Sequence, residues 1–221
     1  MIEMSVSTNS HKVASPAAVR AVALVTAAYI LVAAVRAWVG GNTEFVFYIV
    51  VMIVLSISIY GVHRKVGLTK GLLWGISIWG LLHMAGGIVR VPESWPTNAD
   101  TTPVLYNLWL IPKLFKYDQL THVYGFGLTT WLCWQALSAG FENASGKRPA
   151  PTLGLMVLCA AAGMGFGAFN EIVEFIATIT LESTNVGGYE NTSWDLVANL
   201  AGSVIAAVWI SIAGRKHDTD L

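Results

Sequence analysis

Apolar residues in this chain come in six blocks, near 17–39, 44–62, 71–90, 118–140, 151–179 and 194–213, separated by polar connections. A helix rising about 1.5 Å per residue needs about 20 such residues to cross a hydrocarbon core about 30 Å thick, a length these blocks approach or exceed. The pattern predicts an all-α, polytopic membrane helical bundle of six transmembrane helices within 17–213, preceded by a segment 1–16 and followed by a tail 214–221. One connection, 91–117, is long. It opens with the turn formers Pro92, Pro96, Asn98, Asp100 and Pro103 and closes with LYNLWLIPKLF at 105–115. That second half is apolar and aromatic yet too short to cross, so it reads as lying in the outer interface or dipping back into it, as an anchor or a lid. No internal repeat is visible, and the first three blocks do not echo the last three.

Composition agrees with the pattern. Asp, Glu, Lys and Arg make up 12% of the 221 residues, against about 25% in ordinary globular proteins, too few to coat a soluble surface. Nine Trp and seven Tyr suit anchoring at two lipid and water boundaries, and mean hydropathy is +0.60. Thirteen basic and thirteen acidic side chains cancel, so no global field attracts nucleic acid. Cys133 and Cys159 have neither CxxC nor finger spacing and read as small core residues. The first block has an uncharged centre, Ala21 to Val35, between Arg20 and Arg36, the form of a signal-peptide core; without a clear small-residue cleavage site, a retained helix is the preferred reading.

Basic residues set the direction. Lys12, Arg20, Arg64, Lys65, Lys70, Lys147, Arg148, Arg215 and Lys216 fall on one side, while Arg36, Arg90, Lys113 and Lys116 fall on the other. The positive-inside rule therefore makes both termini cytoplasmic and turns 91–117 and 181–193 outward.

Ionisable side chains inside a span cost about 2.5–3.5 kcal/mol each at the helix centre, so their positions carry information. The first two blocks have none in their cores. The other four hold His83, Asp118, His122, Glu171, Glu174 and Asp195, with Asn170 and Asn199 beside them. Because the helices alternate in direction, these groups all fall in the outer half: His83 about 10 Å below the outer end of its span, His122 about 6 Å below Asp118, and Glu171 and Glu174 about 7–12 Å below theirs. Asp118 with His122, Glu171 with Glu174, and Asp195 with Asn199 are each three or four residues apart and share a helix face. Gly163 and Gly167, before Asn170, and Gly86 and Gly87, after His83, let helices approach closely.

Two carboxylates one turn apart in apolar surroundings need a shared proton or a cation between them. Protonated histidine, Arg90 at the rim, and a bound divalent metal are the candidates. Imidazole with carboxylate and no thiolate suits zinc, iron or manganese. His83, Asp118, His122, Glu171 and Asp195 are the candidate ligands, with Asn170, Asn199 and Arg90 supporting them and Glu171, Glu174 and Asp195 as catalytic groups. Each residue also has a plainer reading: His83 as a satisfied core histidine, Asp118 and Asp195 as helix N-caps, Glu174 as glue between helices. Ser193 beside Asp195 is a weak candidate nucleophile, better read as a cap. His11, His63 and His217 lie outside the spans and take no role.

Residues 117–127 (YDQLTHVYGFG), 167–175 (GAFNEIVEF) and 193–202 (SWDLVANLAG), after LLHMAGG at 81–87, resemble the YjdF-type bacterial inner-membrane family and, more distantly, VanZ. The shared skeleton is Tyr-Asp-x-x-x-His, a later Glu-x-x-Glu, and Asp195 followed by Gly202. Gln119 stands where the resemblance leads one to expect Lys, Asn191 where it leads one to expect an acid, and Glu174 where VanZ-like chains carry Gln. The resemblance implies a protein of the bacterial plasma membrane; its VanZ branch is associated with glycopeptide tolerance, hence with the cell envelope. It names no reaction.

Three readings of function follow. The first is a membrane-embedded, metal-dependent hydrolase acting on a lipid or envelope-precursor substrate near the outer headgroups, with Glu174 or Glu171 as general base. The second is a proton-coupled transporter or relay through Asp118, His122, Glu171 and Glu174. The third is a structural subunit whose polar cluster only fixes packing. The enzyme is ranked first.

Overall fold

In the computed structural model, residues 13–99 and 103–218 are described, with side chains described up to Gly214. Residues 1–12 of the expected segment 1–16, Lys12 and His11 among them, and 219–221 of the expected tail 214–221 lie outside the described residues, as do the side chains of Arg215, Lys216 and His217. Six helices make the fold: α1 (Pro16–Val39), α2 (Thr43–Val66), α3 (Lys70–Ile88), α4 (Tyr117–Ser145), α5 (Leu153–Thr180) and α6 (Tyr189–Asp218). Their ends follow local chemistry. Ser15, Asn42, Thr69 and Thr152 accept backbone N–H groups at the starts of α1, α2, α3 and α5, and Pro16 occupies the first turn of α1. His63, given no role from sequence, accepts the Leu68 N–H through Nδ1 (3.1 Å) just beyond the end of α2.

Five of these helices are long and apolar enough to cross a membrane; α4 is the one that falls short, because Asp118, Gln119, Thr121, His122, Thr130 and Gln135 lower its hydropathy. The packing explains how a polar helix is tolerated. From residue 121 to 139 no side chain of α4 is exposed, since α3, α5 and α6 enclose it. Gln135 bonds Thr69 twice, accepting its backbone N–H (3.0 Å) and donating to its hydroxyl (2.9 Å), which ties α4 to the start of α3. The outer helices instead leave large apolar side chains uncovered, among them Leu24 and Val32 of α1, Phe166 and Phe175 of α5, and Ile205 and Trp209 of α6. So wide an apolar surface suits lipid.

Cys133 and Cys159 are free thiols in the contact between α4, α5 and α6, as expected of core residues. The segment 105–115, read from its composition as apolar and aromatic, has local structure of its own. It forms a single 3-10 turn, Leu105–Asn107, and a hairpin of β1 (Trp109–Ile111) and β2 (Phe115–Lys116). The apolar tip residues Leu110, Ile111 and Leu114 are exposed, whereas Lys116 at the hairpin's foot is buried. A difference from the expected spans lies at α6. The helix starts at Tyr189 rather than near 194, so Asp195 sits in its second turn and is no N-cap, and Ser193 donates to the Tyr189 carbonyl (2.8 Å) within the helix.

Helices α4 and α6 touch backbone to backbone. A Cβ on Gly202 would collide with the carbonyl of Val123, and one on Gly127 would come 3.2 Å from the carbonyl of Gly202. Overpacking of this kind costs about 1–3 kcal/mol. Gly202→Ala is therefore expected to lower the unfolding free energy in detergent by about that amount, whereas Gly140→Ala, with nothing within 4 Å of the new methyl, should be neutral or mildly stabilising.

Candidate functional site

Where α4 begins, α5 ends and α6 begins, beside the end of α3, the polar residues of three helices meet. His122 of α4 is at the middle of the cluster. Its Nδ1 lies 2.9 Å from Asn199 Oδ1 of α6 and 3.7 Å from Glu171 Oε1 of α5, and its Nε2 lies 3.6 Å from Asp118 Oδ1 one turn earlier. Asp195 and Asn199 are wholly buried, and Glu171 is 8% exposed. Asn170 donates to Glu174 Oε1 (3.0 Å). Glycines make the convergence possible: a Cβ on Gly167 would reach the Asn199 amide at 2.7 Å, and one on Gly163 would meet the hydroxyls of Thr130 and Ser203. The pair before Asn170 thus sets α5 close enough for its carboxylates to face α6.

Two sets within the cluster each bring three ligand atoms within 4.8 Å of one another: Asp118, His122 and Asp195 on one side, His122, Glu171 and Glu174 on the other. Several buried polar atoms there have no hydrogen-bond partner, namely both oxygens of Glu171, Oδ1 of Asp195 and Nδ2 of Asn199. Such atoms cost free energy unless something completes them.

Two expected members stand apart. His83 belongs to neither set. It packs against Trp79, Tyr48 and Tyr106, with ring centroids 5.5, 6.0 and 5.7 Å away. The Tyr106 hydroxyl donates to the His83 carbonyl (2.8 Å), and since it has one proton it accepts Nδ1–H of the same residue at 2.6 Å. Burial holds the Tyr106 hydroxyl well above the usual phenol range, so it stays protonated for this role. A cavity of about 10 Å³ separates His83 from His122 and Asn170, space for about one water. Arg90 is exposed and has no ion pair among the described residues, so it does not supply the cluster's positive charge.

That charge comes from Lys116, which the sequence shows only as one more basic residue in a loop. It is 5% exposed, its ammonium lies 3.9 Å from Asp118 Oδ2, and it donates to Asn191 Oδ1. Asn191 in turn donates to Asp195 Oδ2 (2.6 Å) and Asp118 Oδ2 (3.4 Å). Gln119, where a lysine was expected, accepts the Lys116 backbone N–H (2.9 Å) at the start of α4. The departures at 119 and 191 are therefore joined through one lysine three residues before Gln119. Lys113 lies in the same hairpin, so charge alone does not single out Lys116, and its place two residues before Asp118 is the one local hint. An open apolar hollow of about 330 Å³ beside Trp194 and Val197 lies on the exposed face of α6, away from these groups.

The apolar exterior, the enclosed polar helix and the buried cluster define a multi-pass helical membrane protein. Residues 18–216 match the family model described as "Predicted membrane protein (DUF2238)", so the chain belongs to that family. This is consistent with the YjdF-type likeness of its motifs, whereas the more distant likeness to VanZ finds no support. No match was found among curated proteins or among solved structures.

Removing one partner of a buried ion pair costs about 3–5 kcal/mol because the other charge is stranded. Lys116→Met should lower stability in detergent by about 3 kcal/mol, and Lys116→Met combined with Asp118→Asn should recover a large part of that loss. Equal losses for the single and double variants would show that the lysine does not serve the acids.

Proposed function

We propose that the protein lies in the bacterial plasma membrane with six crossing helices, α4 included, and both termini in the cytoplasm. Its acidic centre then faces outward, binds a divalent metal ion and carries out hydrolysis at the level of the outer headgroups. The observation that carries this reading is the convergence of buried, unpartnered carboxylate oxygens of Glu171 and Asp195 around one histidine, His122. Metal–nitrogen and metal–oxygen bonds are about 2.0–2.2 Å long, which puts ligand atoms roughly 3–4 Å apart, the range of the His122 contacts. A metal held by His122 and the facing carboxylates would supply a water of lowered pKa. Asp195, with Oδ2 held by Asn191 and Oδ1 free, is the group to accept the water's proton. As the water oxygen bonds to the acyl or phosphoryl centre, the ester bond breaks and the leaving alcohol takes up that proton. Substrate would enter past Asp118, whose side chain is 17% exposed, beside the β1–β2 hairpin. Lipid or an envelope precursor is the substrate class that such a depth favours.

A second reading, a proton relay, is favoured by the enclosure of the site, since the cavity between the two histidines has room for about one water. One experiment separates the two. Protein reconstituted in liposomes of bacterial lipids is incubated with Mn²⁺, and the products are followed by mass spectrometry while internal pH is recorded. The enzyme reading expects headgroup or acyl release that chelator removes and that His122→Ala lowers about 100-fold or more. Proton flux lost in Glu171→Gln, with no product formed, would replace it by the relay.

A further inference from the structure

The two halves of the centre are not equivalent toward a cation. In the outer half, Asp118 and Asp195 already face one, the Lys116 ammonium, and Asn191 bridges all three. A divalent ion placed there would sit against a fixed like charge in a site shielded from water, where such repulsion is strong. The inner half has no such partner. Glu171, 8% exposed, has no hydrogen bond to either oxygen, and Glu174 has one, from Asn170 to Oε1. Asn199 points its oxygen at the same place: Oδ1 lies 2.9 Å from His122 Nδ1, the spacing of two ligand atoms around one ion as well as of a hydrogen bond.

Resting on the metal reading above, we infer that the ion is held in the inner half by His122 Nδ1, Asn199 Oδ1 and the carboxylates of Glu171 and Glu174. Lys116 serves as the resident cation of the outer half. Binding replaces the proton between His122 and Asn199, and leaves Nε2–H to face Asp118 at 3.6 Å. A carboxylate on the far nitrogen of a metal-bound imidazole orients the ring and raises its basicity, which makes Asp118 a positioning residue and not a ligand. One nitrogen with three oxygens is an oxygen-rich set that suits Mn²⁺ or Fe²⁺ better than a thiolate-seeking ion. Three of the ligands expected from sequence, His83, Asp118 and Asp195, leave the set, and Asn199 and Glu174, expected as a supporting and a catalytic residue, enter it.

Full-length protein purified in detergent, stripped with chelator and titrated with Mn²⁺ by paramagnetic resonance tests this. Wild type should bind one ion per chain. Glu171→Gln and Glu174→Gln should each weaken binding about 100-fold or more, and Asp118→Asn about 10-fold, the size of a support residue's effect. Asp195→Asn should change affinity less than about 10-fold, and Lys116→Gln should tighten it by removing the like charge. If wild type binds no Mn²⁺, the metal reading itself falls. If it binds and Asp195→Asn abolishes binding while Glu171→Gln does not, or if Lys116→Gln weakens it, the reading stands and the inner assignment falls. The amide variants are isosteric, and the lysine variant reports from outside the ligand set should one of them fail to fold.

Discussion

Charge buried in a bundle surrounded by lipid must be neutralised from within, and this constraint organises the protein around His122. Asp118, Glu171, Glu174 and Asp195 would together cost on the order of 10 kcal/mol at a membrane's centre, comparable with the whole stability of a typical fold. Asp118, Glu174 and Asp195 are met by amide and ammonium groups, Asn170 of α5 among them, while Glu171 faces the His122 imidazole. Lys116 arrives from the hairpin, Asn191 and Asn199 from α6, and His122 from α4. Each approach needs its helix or loop held in register, so the polar centre and the packing around it depend on each other.

The packing that serves this centre is close where small residues allow it. Gly202 brings the α6 backbone against Val123, and Gly163 and Gly167 bring α5 against the hydroxyls of Thr130 and Ser203 and the amide of Asn199. The contacts at Val123 and Thr130 lie on α4, the one helix whose composition is too polar for a lipid-facing place. Its position inside the bundle resolves that conflict: the other helices expose apolar side chains, and α4 keeps its polar ones inside. The hairpin β1–β2 closes the same end of the bundle and delivers Lys116 by its foot while its tip, with Leu110, Ile111, Lys113 and Leu114, stays exposed.

Much of the site is legible in the sequence. Three of the four helical segments expected to carry it do so, and the convergence of Asp118, His122, Glu171, Glu174 and Asp195 follows from helix rise, alternating direction and the cost of burying charge. The nearness of Asn170 to Glu174 and of Asn199 to the cluster also follows, because i, i+4 spacing fixes a shared face. What went astray depended on segments without a period. Arg90 and Lys116 are both rim cations in one loop, and nothing along the chain says that the first turns outward while the second folds under the acids. His83 looked equivalent to His122 by depth, yet Tyr106, from an irregular segment 23 residues on, claims its Nδ1. The start of α6 was placed late because residues 189–193 are polar, and that hid Asn191 as a member of the site.

By itself, then, the sequence determined that this is a helical membrane protein, which residues are costly there and that they share one level. These are one-dimensional properties, set by hydropathy, rise per residue and face periodicity. The tertiary structure alone decided which cation meets which acid, which histidine stays within the cluster and which carboxylate oxygens remain unpartnered. Those outcomes turn on a few ångströms between segments far apart in sequence, and no local pattern encodes such distances.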